Sequence, residues 1–227
     1  IKILMNSLYG ALGNRWFRYF DQRVAESITL GGQLSILWAE RTVNKEMNKL
    51  MSTDDVDYVI AIDTDSLYIN MGELVQKFNP KNPVKFLDEI CKTHFEKVLT
   101  KSYEELADYT GAMSNRMEMG REVIADKGIW VAKKRYILNV HNSEGVQYKE
   151  PKLKIMGIEA IKSSTPELVR DNMKKLFKII LAQTQNDAQH FVSVFKNVFK
   201  DSPAEDISFP RGVRHVWKYS DRNTIYG

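Results

Sequence analysis

The sequence contains very little cysteine and no long apolar run. Its 227 residues include one cysteine, Cys91, with 12 glycines and six prolines. A single cysteine excludes an internal disulfide and a zinc site built from several thiolates, and it favours a reduced, intracellular compartment. The glycine and proline content excludes a collagen-like or linker composition. No apolar stretch reaches the roughly 18 residues of a membrane-spanning helix and no signal peptide is recognisable, so we expect no membrane partner.

The remaining composition is that of a folded chain. Hydrophobic residues make up 43% and charged residues 27% of the sequence, which is too apolar for a disordered protein. The length favours one or two domains. The chain begins at Ile1 without an initiator methionine and stops at Gly227, so we expect it to be a piece of a longer polypeptide.

Charge is unevenly distributed along the sequence. Residues 54–126 carry a net charge of −7, whereas residues 127–162 carry +5. Clustered carboxylates can hold metal ions and a neighbouring basic segment can bind phosphates, as an enzyme that uses metal ions on nucleic acid requires. The alternative is ordinary charge variation on solvated faces.

The periodicity of apolar residues predicts an α+β fold in which strands cluster between residues 57 and 160 and helices occupy most of the rest. A domain boundary is predicted near Ser163. The predicted elements are a helix over 22–50, a hairpin over 58–70, a helix over 83–109, strands over 116–140 with a turn at Gly128, a helix from Thr165–Pro166 to about Lys200 with a break near 185–187, and a loop over 201–227.

The predicted hairpin carries two acidic residues at its tip, Asp63 and Asp65. Residues two apart on an extended strand point to the same side, so the two carboxylates would repel each other unless a cation lies between them. Oxygen ligands at a rigid edge suit Mg²⁺. The alternative is an ordinary polar turn, in which aspartate is common.

Two further patterns could bind a nucleotide or nucleic acid. On a helix, Lys2, Asn6 and Tyr9 share one face, which offers an ammonium, an amide and an aromatic ring. The alternative is an amphipathic helix whose polar face only meets water.

The basic segment between Trp130 and Val140 is the second of these patterns. Strand alternation would place Lys134 and Tyr136 on one face and Lys133 and Arg135 on the other, and basic groups interleaved with an aromatic ring suit a nucleic-acid backbone. Further lysines follow, among them Lys152 and Lys154. The alternative is a solvated strand face.

In this order, the motifs resemble those of family B DNA polymerases. The matching residues are Lys2-x3-Asn6-Ser7-Leu8-Tyr9-Gly10, then Asp63-Thr64-Asp65-Ser66, then Lys134-Arg135-Tyr136. The runs Lys152-Leu-Lys-Ile-Met-Gly-Ile-Glu159 and Ser163-Ser-Thr-Pro166 also resemble the replicative polymerases of T-even-type bacteriophages. The resemblance spans about the whole chain.

This resemblance implies a fold and a domain division. It implies a palm-like antiparallel sheet with packed helices, preceded by the end of a fingers helix and followed by a mainly helical thumb. The corresponding ranges are 1–20 for the fingers helix, 21–162 for the palm and 163–227 for part of the thumb. It also implies that the family's upstream metal-binding aspartate motif and 3′–5′ exonuclease domain are not in this sequence, so we expect the chain alone to be inactive.

The resemblance further implies roles for particular residues in two-metal nucleotidyl transfer from a dNTP to a primer 3′-hydroxyl. Asp65 would be a direct ligand of Mg²⁺ and Asp63 an outer or water-mediated one. A third carboxylate is expected at Glu122 only, because Gly120 stands where such polymerases tend to carry an acidic residue.

The other implied roles concern substrates. Lys2 would neutralise triphosphate charge, and Asn6 and Tyr9 would shape the nucleotide pocket. Primer–template DNA would be bound by a basic set with one tyrosine: Lys133, Lys134, Arg135, Tyr136, Lys152 and Lys154.

Two other classes of function remain open from the sequence. A noncatalytic DNA-binding chain, either a subunit of a split polymerase or a gene remnant, would keep the basic segment without chemistry of its own. An unrelated hydrolase or metal-dependent phosphotransferase with an acidic hairpin would not depend on primer–template DNA. The expected partners of a polymerase are primer–template DNA, dNTP, an upstream polymerase fragment and a sliding clamp, in the cytoplasm of an infected bacterial host.

Overall fold

The computed structural model describes residues 2–212 together with 214, 215 and 217, and of Lys2, Met5 and Asn6 only the helical backbone. The chain forms two compact units, Ile1–Ile124 and Ala125–Gly227. Both contain helices and an antiparallel sheet, which confirms the predicted α+β class. The units divide at 124/125 rather than near Ser163, and the assignment of residues to fingers, palm and thumb stays a prediction. In the part of the chain that the structure describes, no helix is both long and apolar enough to cross a bilayer.

The first unit is built around a long helix and a two-stranded hairpin. Strands β1 and β2 pair antiparallel, with a register shift between Val59 and Ala61. The elements of this unit are α1 (Lys2–Leu12), α2 (Gln22–Met51), β1 (Val59–Asp63), β2 (Ser66–Ile69), α3 (Gly72–Phe78), α4 (Pro83–Ile90), a π-helical turn (Cys91–Phe95) and α5 (Glu96–Thr110).

Helix α2 confirms the predicted helix over 22–50. The Asp21 side chain caps its first turn by accepting a hydrogen bond from the Arg23 N–H, and the helix ends where Ser52 adopts a left-handed conformation. Only its second half is buried, through Ile36, Ala39, Val43 and Met47. The apolar stripe of the first half stays exposed, at Val24, Ile28, Leu30, Leu34 and Leu37.

The core of the first unit joins α2 to the hairpin and to α5. Met47 and Leu74 are completely buried, and Phe95 is 3% exposed. The other buried members of this cluster are Ala39, Val43, Tyr58, Val59, Leu99, Tyr103 and Leu106. The hairpin therefore rests on a packed helical base.

The predicted helix over 83–109 is present but contains a π-helical turn. The Glu96 N–H donates to the Cys91 carbonyl five residues earlier. The apolar residues of this helix step by four, five and four positions, at Phe86, Ile90, Phe95 and Leu99. The five-residue step coincides with the π turn, which keeps all four side chains at the core. Cys91 lies in this turn, and burial raises the pKa of its thiol to about 11.

The second unit is a three-stranded sheet covered by helix α6. The strand order is β3-β4-β5, and Ile137, Ile158, Ala160, Phe177 and Leu181 form the buried cluster between sheet and helix. The elements are β3 (Val123–Ala132, which begins at the end of the first unit), β4 (Arg135–Ser143), β5 (Val146–Met156), a 3-10 turn (Glu159–Ile161), α6 (Glu167–Ala182), α7 (Gln185–Asp201) and α8 (Ala204–Ile207).

Two predicted details of this unit are wrong. Gly128 lies inside β3 rather than at a turn. The Trp130 ring and Leu138 fill the space that a side chain would occupy there, so the absence of a Cβ gives them room. Residues 201–227 are not all loop, because α8 forms within them. Helix α6 begins at Glu167, directly after the predicted start at Thr165–Pro166, and Pro166 occupies the N-cap position.

Candidate functional site

The tip of the β1–β2 hairpin carries the two predicted metal-binding carboxylates. Asp63 is the last residue of β1 and pairs with Ser66, so Thr64 and Asp65 form a two-residue turn. Thr64 has a positive φ of 57°, and the Asp65 N–H donates to the Asp63 carbonyl at 2.7 Å. Asp65 therefore lies in the turn and not on an extended strand. The prediction that Asp63 and Asp65 point to the same side because they are two residues apart on a strand does not apply to this backbone. Asp63 is half-buried and accepts a hydrogen bond from the Thr64 hydroxyl, whereas Asp65 is exposed.

Asn44 of α2 fixes the start of the strand that ends in Asp63. Its side-chain oxygen accepts hydrogen bonds from the Tyr58 and Val59 N–H groups at 2.9 and 3.2 Å. Its amide nitrogen donates to Asp57 at 2.8 Å. Tyr58 and Val59 are themselves buried in the core. The acidic tip is thus carried by a strand anchored both through polar contacts and through packing.

The carboxylates fit a hard cation only as a partial ligand set. Oxygen atoms of aspartate are ligands that Mg²⁺ prefers. Across residues 2–212, no three or more His, Cys, Asp or Glu side chains come together to hold a metal ion, so Glu122 does not complete a group with Asp63 and Asp65. Its role as a third ligand stays a prediction.

The residue before Glu122 is tied to the helices of the first unit. Arg121 forms an ion pair with Asp88, and its backbone N–H donates to Glu96 at 3.0 Å. Its guanidinium also donates to the Glu122 carbonyl at 3.2 Å. A hydrogen bond from Lys92 and the contact with Arg121 hold the pKa of Asp88 below its ordinary value. Glu122 is exposed beside this network.

Of the predicted nucleotide-binding residues, the structure describes the side chain of Tyr9. Tyr9 is 45% exposed, and its hydroxyl lies 3.2 Å from the Thr29 hydroxyl of α2. The side chains of Lys2 and Asn6 lie outside the described residues, although both positions belong to the predicted helix, here α1. Tyr9 thus lies beside α2, and its role toward a nucleotide stays a prediction.

The predicted basic strand is instead a hairpin turn. Lys133 and Lys134 are exposed and form the two-residue connection between β3 and β4, with a positive φ of 59° at Lys134. The prediction that residues 133–136 alternate along one strand is therefore wrong. The two lysines project at the end of the sheet, and Arg135 and Tyr136 begin β4.

Arg135 and Tyr136 are engaged within the second unit. Arg135 forms an ion pair with Glu159 at 2.6 Å, and Glu159 also contacts Lys162 at 3.1 Å. Hydrogen bonds from its own backbone N–H and from Lys162, together with the charge of Arg135, hold the pKa of Glu159 below its ordinary value. Tyr136 is only 4% exposed, with its ring centroid 6.3 Å from that of Trp130. Its burial favours a role in supporting the turn over broad contact with a ligand.

Lys152 and Lys154 lie on the sheet face that points away from α6. Lys152 pairs with Val140 and Lys154 with Leu138, and directly opposite residues share a face. The opposite face, with Ile137 and Ile155, packs in the α6 cluster. The Lys152 ammonium lies 4.2 Å from the centroid of the Tyr148 ring. Tyr136 shares the face of the two lysines, so three predicted DNA-binding residues occur together.

The sequence matches one family along almost its whole length. The family model described as DNA polymerase family B matches residues 1–211. The chain belongs to DNA polymerase family B. This match confirms the family B resemblance that the motifs predict, and the phage relatives described next confirm the similarity to polymerases of T-even-type phages.

This family B segment is similar to several viral and archaeal polymerases. It is 37% identical over 235 residues to the DNA-directed DNA polymerase of Enterobacteria phage T4, covering 97% of this chain and 26% of that protein. It is 38% identical over 232 residues to the enzyme of the same name from Escherichia phage RB69, covering 96% and 26%. A DNA polymerase 1 of Pyrococcus abyssi is 25% identical over 181 residues, covering 80% and 19%. The chain thus spans about a quarter of the length of the phage relatives.

Sequence reasoning missed three residues of this family B segment that support either the acidic hairpin of the first unit or the lysine turn of the second. Asn44, Gly157 and Glu159 contact the hairpin or the lysine turn through partners far away in the sequence. Asparagine inside a helix was an available signal, because it has low helix propensity and commonly bonds to nearby backbone. Gly157 and Glu159 belong to the run Lys152–Glu159, which resembles the phage polymerases, but the resemblance assigns no role to either residue.

Proposed function

We propose that this chain forms part of a DNA-templated DNA polymerase that transfers a nucleotide from dNTP to a primer 3′-hydroxyl. The observation that carries the proposal is the family match over residues 1–211 in a chain whose Asp63 and Asp65 occupy an anchored hairpin tip. The ranges 1–20, 21–162 and 163–227 would belong to fingers, palm and thumb, respectively. The chain would act in the cytoplasm of an infected bacterial host, with an upstream polymerase fragment and a sliding clamp as further partners.

Asp65 and Asp63 would share the metal-binding role unequally. Asp65 is exposed in the turn and can offer both carboxylate oxygens, which suits a direct ligand. Asp63 is half-buried and its carboxylate accepts a hydrogen bond from the Thr64 hydroxyl. This arrangement suits an outer or water-mediated contact with the metal ion. A third carboxylate from Glu122 would have to be brought to this pair, because the described residues do not group Glu122 with Asp63 and Asp65. Two Mg²⁺ ions at this site would supply charge stabilisation to the attacking and leaving oxygens.

The nucleotide and the DNA would meet different residues. Lys2 would neutralise triphosphate charge, while Asn6 and Tyr9 of α1 would shape the nucleotide pocket. The Tyr9–Thr29 contact supports this by fixing the position of the partly exposed Tyr9 ring beside α2. The exposed lysines of the β3–β4 turn would contact DNA phosphates.

The remaining DNA-binding residues would act around that turn. Lys152 and Lys154 would contact DNA from the sheet face that they share with Tyr136. The buried Tyr136 would act mainly by supporting the turn that precedes it. Arg135 would act mainly through its ion pair with Glu159.

A primer-extension assay tests the proposed reaction. The chain would be assayed alone and after mixing with the upstream part of the phage T4 polymerase, with labelled primer–template DNA, dNTP and Mg²⁺. We expect template-directed extension in the mixture. Specific DNA binding without extension would favour the noncatalytic alternative, and phosphoester cleavage that needs no primer would favour the hydrolase alternative.

Divalent-metal binding at the hairpin is a testable prediction. Because two carboxylates form a partial ligand set, we expect Mn²⁺ or Mg²⁺ to bind weakly, with a Kd on the order of millimolar. Asp65→Ala should remove this binding, as measured by the electron paramagnetic resonance signal of free Mn²⁺. Asp54→Ala, at an exposed acidic residue in the loop before β1, is the matched control. Tight binding that survives Asp65→Ala would contradict the assignment.

Lys134→Ala tests the DNA-binding role of the β3–β4 turn. Each phosphate contact that is lost should flatten the log–log salt dependence of binding by about 1. We therefore expect weaker, less salt-dependent binding of primer–template DNA, measured by fluorescence anisotropy at several salt concentrations. Lys101→Ala, which removes an exposed lysine of α5, should leave the slope unchanged. If the two variants show equal slopes of DNA binding against salt concentration, the turn is a solvated surface that does not contact DNA phosphates.

A further inference from the structure

Gly157 makes an unusually close approach to the lysine turn. It has a positive φ of 65°, and a Cβ atom at this position would lie 2.1 Å from the Lys134 carbonyl oxygen and 3.2 Å from Arg135 Cγ. Real Cβ atoms do not come that close to a backbone oxygen, and left-handed backbone also favours glycine. The Lys134 carbonyl therefore occupies space that only glycine leaves open.

The residues around Gly157 are held firmly, so the approach cannot relax easily. Met156, directly before it, pairs with Tyr136 across β4 and β5. Ile158 and Ala160, after it, are 5% and 0% exposed in the cluster with Phe177 of α6. A side chain at position 157 would thus have to displace the lysine turn rather than residues 156–160.

Glu159 makes a second connection from the same segment to the start of β4. It lies 2.6 Å from the Arg135 guanidinium and 3.1 Å from the Lys162 ammonium. Gly157 contacts Lys134 of the turn and Glu159 contacts Arg135 at the start of β4, while Ile158 between them and Ala160 after them are buried. We call residues 157–159 the support segment.

We propose that the support segment positions the Lys133–Lys134 turn so that its two ammonium groups can contact the phosphodiester backbone of primer–template DNA. This inference rests on the proposed function. Gly157 and Glu159 are positioning residues, since they act through Lys134 and Arg135 and touch no ligand themselves. The ordering of the turn in advance reduces the entropy lost when the lysines bind phosphates.

The test compares Gly157→Ala with Gly145→Ala by anisotropy titration of primer–template DNA across salt concentrations. Gly145 also has a positive φ, 87°, but no atom lies within 4 Å of its Cβ position. We expect Gly157→Ala to weaken binding at least about tenfold and to flatten the salt slope by about 1 to 2, as losing one or two phosphate contacts would. Gly145→Ala carries similar backbone strain and should leave the slope unchanged.

A second pair of variants covers the possibility that Gly157→Ala does not fold. Glu159→Ala and Glu150→Ala each raise the net charge by one, and Glu150 is an exposed residue of β5. Charge alone would tighten DNA binding in both variants. We expect weaker binding for Glu159→Ala and tighter binding for Glu150→Ala. Tighter binding in both, or equal slopes for the two glycine variants, would overturn the inference.

Lys134→Ala distinguishes failure of this inference from failure of the proposed function. If Lys134→Ala leaves DNA affinity and salt slope unchanged, the turn does not bind DNA and the proposed role fails. If Lys134→Ala flattens the slope while Gly157→Ala and Glu159→Ala do not, the turn binds DNA without needing the support segment. In the double variant, Gly157→Ala should add to Lys134→Ala no more than the loss of the Lys133 contact, because both substitutions act on the Lys134 contact.

Discussion

Primer extension is expected to fall by about a thousandfold or more when Asp65 is replaced by asparagine, because transition-state charge stabilisation worth several kcal/mol is lost. The substitution preserves size and keeps a hydrogen-bonding group in the exposed turn, so the hairpin should fold as before. Its effect should therefore be on chemistry rather than on stability. Single-turnover incorporation by the chain mixed with the upstream part of the phage T4 polymerase measures this rate at saturating dNTP.

The matched control for this result is Asp54→Asn. It makes the same chemical change at an exposed aspartate in the same acidic region, before β1, and should leave incorporation within about twofold, since surface substitutions away from a site have small effects. Comparable losses in both variants would point to a general effect of charge. An unchanged rate of nucleotide incorporation in Asp65→Asn would show that Asp65 takes no part in the chemistry and would leave Asp63 as the candidate metal ligand of the hairpin.

Replacing Met47 by alanine is expected to lower the free energy of unfolding of the first unit by about 2–5 kcal/mol, the range for truncating a large buried side chain. Met47 is completely buried and lies in the cluster that joins α2 to Tyr58, Val59 and Leu74. A typical domain is stable by only about 5–15 kcal/mol, so this loss is a large share. Urea denaturation followed by circular dichroism measures the change.

Met113→Ala makes the identical change at a fully exposed position, with a relative exposure of 103%. Its effect on unfolding should stay within about 0.5 kcal/mol. If both methionine variants unfold at the same urea concentration, the α2–hairpin cluster does not limit the stability of the first unit.

The sequence predicted those parts of the fold whose local periodicity agrees with their burial. Helix α2 follows a helical apolar spacing, and the β1–β2 hairpin follows apolar runs on either side of a polar tip. The β3–β4 turn was missed because Lys133 and Lys134 carry no turn signal, whereas Gly128 does. Gly128 instead provides room for the Trp130 ring within the strand.

The candidate site was only partly visible for a different reason. The acidic residues Asp63 and Asp65 and the basic residues Lys133 and Lys134 can be identified directly in the sequence, and the family resemblance assigns them roles. The contacts that hold them cross long stretches of sequence: Asn44 reaches Tyr58, and Arg135 reaches Glu159. Such pairings depend on tertiary structure, which single-sequence patterns do not encode.

The π-helical turn between α4 and α5 has a consequence for comparing this chain with its relatives. A π turn contains one residue more than the α-helical turn that would replace it. Removing one residue from Cys91–Phe95 would convert Phe86–Leu99 into an uninterrupted α-helix with all its apolar residues still on the core side. In a sequence alignment, a relative with a continuous helix here would therefore show a single-residue gap opposite Cys91–Phe95. Gaps inside a helix are usually regarded as alignment errors. That gap would mark a true insertion, absorbed by the backbone without loss of core contacts.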